Sequence, residues 1–295
     1  MYLFRLHTKP KGGTDDMAAT FEYCLKNDIL GVGWRTDSNR NTKDWDEYFK
    51  EASKKFGEGK LQVCKYIKKW VSKEDLVWTR NRQDYYLARV TSGWEYWTSK
   101  EARKKDIDIA NVFRADIEKV EIDAVPGKVV ACFRATRSIQ KIADEKAFEY
   151  SKYLWNKISN EQIYQIDRSK FSDIFMMLDD EETEDLVFIY LQSRGWYLLP
   201  NSRKGDTKSF EYLAVNPKTG KKARTQVKTG RVSICKDDYV SCSEDVFLFQ
   251  SNGLYSGVGA SHIFCISRDE LLNFLRESID WLPELFRTKM ELIAT

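Results

Sequence analysis

Apolar residues in the first half of the chain follow two different spacings. Positions three or four apart predict amphipathic helices at residues 17–28, 45–56 and 61–71. Shorter runs of aromatic and β-branched residues predict strands at residues 1–6, 29–34, 75–80, 84–92 and 94–99. A further strand pair is predicted over residues 119–135, around Pro126 and Gly127. This half is therefore expected to be β-rich, with a few helices.

The second half reads as helices alternating with strands. A charged helical pattern over residues 138–166 precedes a predicted helix at 169–193. Strands follow at 195–200, in a hairpin over 210–230, at 245–251 and at 262–266, and a helix is predicted at 269–279. This order predicts an α/β arrangement around a central sheet.

The length of 295 residues favours two domains. We expect a β-rich domain at residues 1–145, a helical linker at 146–168 and an α/β domain at 169–295. The fold class is thus α/β plus β-rich.

Charge and cysteine content limit the kinds of binding and catalytic site that the chain can form. The chain has 48 basic and 45 acidic side chains, a net charge of +3, so any surface for nucleic acid must be local. Six cysteines form no CxxC pair and the two histidines lie far apart, which makes a zinc site and a histidine-dependent triad improbable. Without an 18-residue apolar run, a soluble cytoplasmic protein with no membrane partner is expected.

The hairpin FEYLAVNPKTGKKARTQVKTG carries the strongest candidate chemistry. Gln226 and Lys228 are two residues apart on one predicted strand and project to one face, and pairing of the two strands can bring Glu211 beside them. A carboxylate, an amide oxygen and the carbonyl of Val227 suit Mg²⁺ or Mn²⁺. Lys228 can orient a water or stabilise charge on a phosphate, and Glu184 can hold a metal-bound water from the helix before.

Two interpretations of the hairpin stay open. Glu211 and Lys228 can instead form a plain cross-strand ion pair on a solvated face. Asp206, five positions before Glu211, is a rival for the metal-binding acid. Six basic residues with no acid among them suggest phosphate contact or an exposed hairpin tip; they are Lys221, Lys222, Arg224, Lys228, Arg231 and Lys236.

The order helix acid, strand, acid and QxK resembles the PD-(D/E)xK nuclease superfamily, in particular its Mrr-type restriction enzymes. The resemblance covers about residues 169–280. It implies a mixed sheet flanked by helices and a metal-dependent endonuclease, with Glu184, Glu211, Gln226 and Lys228 as catalytic residues and Glu211, Gln226 and Val227 around the metal. Glu211 departs from the more usual Asp.

Tryptophan is concentrated in the first hundred residues, where most indoles are expected in the core. A few can line a cavity that stacks a flipped base. The runs ILGVGW, DLVWTR, SGWEYW and AVPGKVVACFRA resemble the EVE/YTH group of the PUA-like superfamily over about residues 1–142. This resemblance implies a small β-barrel with helices and an aromatic cage for a modified base; the cage candidates are Trp34, Trp78, Tyr86, Trp94 and Trp97.

Together these features predict a modification-dependent, type IV-like DNA endonuclease of phage defence. It would flip and read a modified base, a cytosine derivative, in double-stranded DNA and cut the backbone with Mg²⁺, as a homodimer on DNA. Two alternatives remain: a non-catalytic reader of nucleic acid with a degenerate nuclease domain, and a nuclease switched on by a small nucleotide. Metal-dependent cleavage of DNA distinguishes the endonuclease from the non-catalytic reader.

Overall fold

The structure is a computed structural model that describes residues 1–8, 16–200, 202 and 210–294. The chain is a mixed α/β protein and contains a sheet curled into a half-barrel. It divides into two compact units, residues 1–167 and 168–295, each with its own sheet. We describe the two units separately.

The first unit contains seven strands and six helices among its described residues. In chain order they are β1 (Leu3–Leu6), α1 (Met17–Lys26), β2 (Ile29–Val32), α2 (Trp45–Phe56), α3 (Gln62–Trp70), β3 (Leu76–Asn81), β4 (Asp84–Val90), β5 (Glu95–Tyr96), α4 (Lys100–Lys104), β6 (Asn111–Val120), α5 (Gly127–Cys132), β7 (Ile139–Lys141) and α6 (Glu145–Ser159).

The strands of this unit form one sheet in the order β2-β6-β4-β3-β1-β7, and β5 also pairs with β6. Strands β1 and β3 are parallel, while the other pairs are antiparallel. Helices α2 and α3 place Tyr48, Cys64 and Ile67 in the same buried cluster as Val77 and Phe113 of the sheet. Burying this apolar surface is the main favourable term for the unit.

Residues 119–135 do not form the predicted strand pair. Strand β6 ends at Val120, a short 3-10 turn covers Ile122–Ala124, and α5 begins at Gly127 directly after Pro126. Pro126 caps the start of this helix, since its carbonyl accepts hydrogen bonds from the amides of Val129 at 2.9 Å and Val130 at 3.1 Å. The prediction of strands at this place was wrong.

Residues 146–167, which the sequence assigned to a linker, belong to the first unit. Helix α6 packs onto the sheet: Ser151 Oγ accepts a hydrogen bond of 2.9 Å from the Trp78 indole, and the Tyr150 hydroxyl donates to the carbonyl of Ala124 at 2.7 Å. Tyr150 and Trp155 are almost fully buried. The helix therefore covers one face of the first sheet.

In the part of the second unit that the structure describes, a sheet lies among four helices. Its elements are α7 (Ile174–Met177), α8 (Asp180–Ser193), β8 (Tyr197–Leu198), β9 (Tyr212–Val215), β10 (Lys222–Lys228), β11 (Ile234–Cys235), β12 (Asp245–Gln250), β13 (Tyr255–Ser256), β14 (Ile263–Cys265), α9 (Arg268–Glu277) and α10 (Glu284–Ala294). The helix predicted at 169–193 is interrupted, since α7 ends at Met177 and Asp179 caps the start of α8.

Five strands of this unit form a mixed sheet in the order β14-β12-β10-β9-β8, and β11 pairs with β13 separately. Strand β10 is parallel to β12 and antiparallel to β9. Val227 and Phe249 lie in one buried cluster with Leu186 and Val187 of α8. Since side chains alternate along a strand, Gln226 and Lys228 lie on the opposite face of the sheet from α8.

Among the described residues, no helix is long and apolar enough to cross a membrane. The six cysteines are all free thiols.

Candidate functional site

The register of two strands decides where Glu211 lies. Thr225 pairs with Tyr212 across the antiparallel β9–β10 ladder, and the Glu211 amide donates to the Thr225 carbonyl at 2.8 Å. Glu211, one residue before Tyr212, therefore lies opposite Gln226, and Lys228 follows on the same face. The hairpin thus places the three side chains together.

One carboxylate oxygen joins the three groups. Glu211 Oε1 accepts a hydrogen bond from Gln226 Nε2 at 2.5 Å and one from Lys228 Nζ at 2.8 Å. The Gln226 side chain is buried, whereas the side chains of Glu211 and Lys228 are 21% and 35% exposed. The cluster consequently has a buried amide at its base and two charged groups that a solute can reach.

The other end of the Gln226 amide has no partner. Gln226 Oε1 is buried and accepts no hydrogen bond within the part of the chain that the structure describes. A buried acceptor without a donor costs about 1–3 kcal/mol, so native proteins keep few of them and they often mark a site for an ion or a water. This oxygen is therefore an unused ligand beside a carboxylate.

The donor set fits a hard divalent cation. Glu211 supplies a carboxylate, Gln226 an amide oxygen and Val227 a main-chain carbonyl, which accepts from Gln226 Nε2 at 3.4 Å. Mg²⁺ prefers oxygen ligands and is commonly held by one or two carboxylates while keeping several waters. Within the described ranges no three His, Cys, Asp or Glu side chains cluster, so protein carboxylates alone would not hold the ion.

Two further acids belong to the prediction. Glu184 lies half-buried on α8, the helix that packs on the opposite face of the sheet from Gln226. The start of this helix approaches the end of β10, because Thr229 Oγ1 donates to the Asp180 carboxylate. Asp206, the rival of Glu211, lies outside the described residues.

Tyr239 is a neighbour of the site that sequence reasoning missed. It packs with Ile234, Val246 and Leu248 on the face of the sheet that carries Gln226. Burial, together with the nearby Asp238, Cys242 and Glu211, raises the pKa of Tyr239 to about 12. Its phenol therefore stays protonated at neutral pH. An aromatic residue in an otherwise polar stretch was the only signal in the sequence.

The basic residues of the hairpin divide into two groups. Arg224 donates to Glu244 at 3.3 Å and stacks over the Phe210 ring, and Lys221 lies 3.7 Å from the Asp245 carboxylate. These partners reduce their availability for phosphates. Lys222 and Arg231 are exposed.

In the first unit, two of the five cage candidates are core residues. Trp78 is fully buried and donates to Ser151 of α6, and Trp94 is buried and donates to Asn111 Oδ1 at 3.0 Å. Trp94 lies in the buried cluster that contains Val77. Trp78 follows Val77 in the sequence, so its side chain points to the other face of the sheet, towards α6. The two indoles therefore cannot face one base.

Trp34 sits in a strained turn directly after β2. Its φ is +66°, and the Asp108 carboxylate accepts hydrogen bonds from the amides of Trp34 at 3.3 Å and Arg35 at 3.0 Å. A Cβ at Gly33 would lie 2.9 Å from the main-chain carbonyl oxygen of Asp108 and would also meet its carboxylate, so glycine is required there. This clamp holds the half-buried Trp34 in a fixed position.

Trp97 and Tyr86 also keep partly exposed rings. The Trp97 indole donates to the Tyr23 hydroxyl at 2.8 Å, and the Arg114 guanidinium lies 4.8 Å from the ring centre. Tyr86 packs against Phe21 with ring centres 4.9 Å apart. Of the five cage candidates, three are thus partly exposed: Trp34, Tyr86 and Trp97.

Comparison of the chain with family models, curated proteins and solved structures found no match.

Proposed function

We propose that the second unit is a Mg²⁺- or Mn²⁺-dependent endodeoxyribonuclease whose centre is formed by Glu211, Gln226 and Lys228. The observation that carries this proposal is the buried Gln226 Oε1, which has no hydrogen-bond partner among the described residues, in a side chain that contacts a carboxylate next to an ammonium group. A plain cross-strand ion pair would not need a buried amide with an unused acceptor.

The residues have distinct roles in this proposal. Glu211, Gln226 and the Val227 carbonyl would hold the cation, which supplies positive charge next to a scissile phosphate. Lys228, one-third exposed, would leave Glu211 and donate to a phosphate oxygen on which charge develops. Glu184 would act from the helix side on a water.

The first unit would supply selectivity for a modified base, a cytosine derivative flipped from double-stranded DNA. Trp34, Trp97 and Tyr86 are the candidates for stacking it, because a base needs an exposed π-face. Each chain would carry one centre, and cutting both strands would require a homodimer on DNA.

A non-catalytic reader of nucleic acid is the second candidate. One carboxylate at the centre, with no cluster of three ligand side chains within the described ranges, favours it. The two candidates differ in whether cleavage occurs and whether it needs the metal.

The test is a cleavage panel of unmodified, methylated, hydroxymethylated and glucosylated cytosine DNA, with Mg²⁺ and with EDTA. We expect metal-dependent cutting of a modified substrate and a loss of at least about a hundredfold in Lys228→Ala, the typical size for one transition-state contact. Lys218→Ala is the matched control, since this exposed lysine lies in the turn of the same hairpin and is not one of the six basic residues considered for phosphate contact.

Cleavage by Lys228→Ala at the wild-type rate would remove the assigned centre. Equal cleavage of plain and modified DNA would remove the reader role alone. Binding of modified DNA without any cleavage would favour the second candidate.

A further inference from the structure

A cleft of about 950 Å³ lies in the first unit, between α3 and the edge strand β7. Its lining includes three cations, Lys69, Arg137 and Lys141, but no carboxylate from the described residues. None of the five predicted cage residues lines it. The cleft is thus a separate, positively charged site.

One wall of the cleft is a flat aromatic surface. Tyr66 and Trp70, four residues apart on α3, stack with ring centres 4.1 Å apart and planes inclined by 9°. Both rings are half-buried and line the cleft. The adjoining face of α3 buries Cys64 and Ile67 in the core, and Tyr66 and Trp70 also pack against this core, which fixes the helix and therefore the wall. A near-parallel pair of rings offers one more stacking position to a planar ligand.

The three cations line the same cleft. Lys141 Nζ lies 3.2 Å from the centre of the Tyr2 ring, and both residues line the cleft. Asp75, which is buried, accepts hydrogen bonds from the amides of Tyr2 at 2.6 Å and Ser72 at 2.9 Å, and so fixes two residues of the lining. A cleft with fixed rings and several cations suits a ligand with an aromatic ring and a negative charge.

Strand β7 adds polar groups that can read a ring edge. His7 N donates to Ser138 O, and Ile142 N donates to Leu3 O, so hydrogen bonding to β1 falls on alternate residues. The main-chain groups of Ile139 and Lys141 then point away from β1, to the open edge of the sheet. Both residues line the cleft. Their amide and carbonyl groups can donate to and accept from the hydrogen-bonding edge of a nucleobase.

We infer that this cleft binds a mononucleotide. The base stacks on the wall of Tyr66 and Trp70 and hydrogen-bonds to the edge of β7, and the phosphate meets Lys69, Arg137 and Lys141. The volume lies within the range of about 300–1,000 Å³ that is usual for small-ligand sites. This inference does not rest on the proposed nuclease centre.

Calorimetric titration of the full chain with the four deoxynucleoside 5′-monophosphates tests it, in EDTA so that no divalent ion takes part. Deoxynucleosides and inorganic phosphate are the comparison probes. At least one monophosphate should bind ten times more tightly than its nucleoside and than phosphate. Trp70→Ala should weaken this binding at least tenfold, while Trp70→Phe, which keeps a ring, should stay within about threefold.

Charge reversal tests the phosphate contacts. Lys69→Glu/Lys141→Glu should weaken binding at least tenfold and reduce its salt dependence. Lys54→Glu/Lys60→Glu is matched in charge and lies on two exposed lysines outside the cleft, so it should change binding less than twofold. Thermal unfolding of each variant shows whether it is folded.

Wild-type affinity in folded Trp70→Ala would overturn the inference. So would phosphate binding as tight as the nucleotides, or binding of single-stranded oligonucleotides only. Lys228→Ala should bind the nucleotide as wild type does, so the nuclease proposal and this inference can fail separately.

Discussion

Two Lys–Glu pairs in the second unit differ in burial, and this difference separates a contact sealed in the core from one that a solute can reach. Lys289 and Glu182 are 2.5 Å apart with side chains 3% and 4% exposed, and Lys289 also donates to the Met177 carbonyl at 2.9 Å. Lys228 and Glu211 are 2.8 Å apart but 35% and 21% exposed. The first pair fastens α10 to the start of α8. The second is accessible and adjoins the Gln226 amide, whose oxygen has no hydrogen-bond partner among the described residues.

The largest effect that we expect is the difference in free energy of unfolding lost when one pair or the other is broken. Lys289→Met leaves the Glu182 carboxylate buried without its ammonium partner, and we expect a loss of about 3–5 kcal/mol in the free energy of unfolding. Lys228→Met exposes its partner to water and should cost less than about 1 kcal/mol. Urea unfolding of both variants measures the difference. Equal losses would show that burial does not separate the two pairs.

Two buried amides on the same face sharpen the comparison. Gln250 uses its whole amide: Nε2 donates to the carbonyls of Gly230 and Val232, and Oε1 accepts from the amides of Asn252 and Leu254. Gln250→Leu should therefore cost about 3 kcal/mol or more, because several buried groups lose their partners.

Gln226→Leu should be far milder, within about 1 kcal/mol of the wild type. It removes a buried oxygen that has no partner among the described residues, together with one hydrogen bond to Glu211. Its binding of Mn²⁺, followed by calorimetry, should fall at least tenfold. A severe loss of stability with unchanged Mn²⁺ binding would assign Gln226 a purely structural role.

The last prediction concerns the pH dependence of stability next to the buried pair. Burial and the adjacent Glu182 carboxylate raise the pKa of Asp179, the cap of α8, to about 6. An Asp in the unfolded chain has a pKa of about 3.9, so the folded state binds the proton more tightly, and protonation of Asp179 favours folding fully below about pH 3.9. This contribution is lost as the pH rises through about 6.

Asp179→Asn keeps a good helix cap but cannot ionise. The stability of the wild type should therefore fall relative to this variant between about pH 4 and pH 6, as measured by denaturant unfolding across that range. A constant difference between the two proteins over this range would contradict the raised pKa.

Local patterns were sufficient for several elements. The apolar spacing predicted a helix at 45–56, and α2 has those bounds because Asp44 caps its start and Gly57 ends it. The run VPGKVVACF, by contrast, suited strand and helix alike, and the position of Pro126 decided for α5. Short apolar runs carry too few positions to separate the two periods.

The candidate site was predictable only in part. Period-two alternation placed Gln226 and Lys228 on one face, but the position of Glu211 depends on the register between β9 and β10, which is set across a turn. Exposure of the indoles was not predictable either, since Trp78 and Trp97 are alike in sequence context yet lie in different surroundings.

The sequence by itself determined which chemically reactive residue types are present and which way alternate side chains of a strand point, because both follow from residue type and a local period. Only the tertiary structure decided which of them meet and which stay accessible: the unused oxygen of Gln226, the buried Trp78 and the ring wall of α3 beside β7. Burial and long-range pairing depend on how distant segments pack, and no local pattern contains that information.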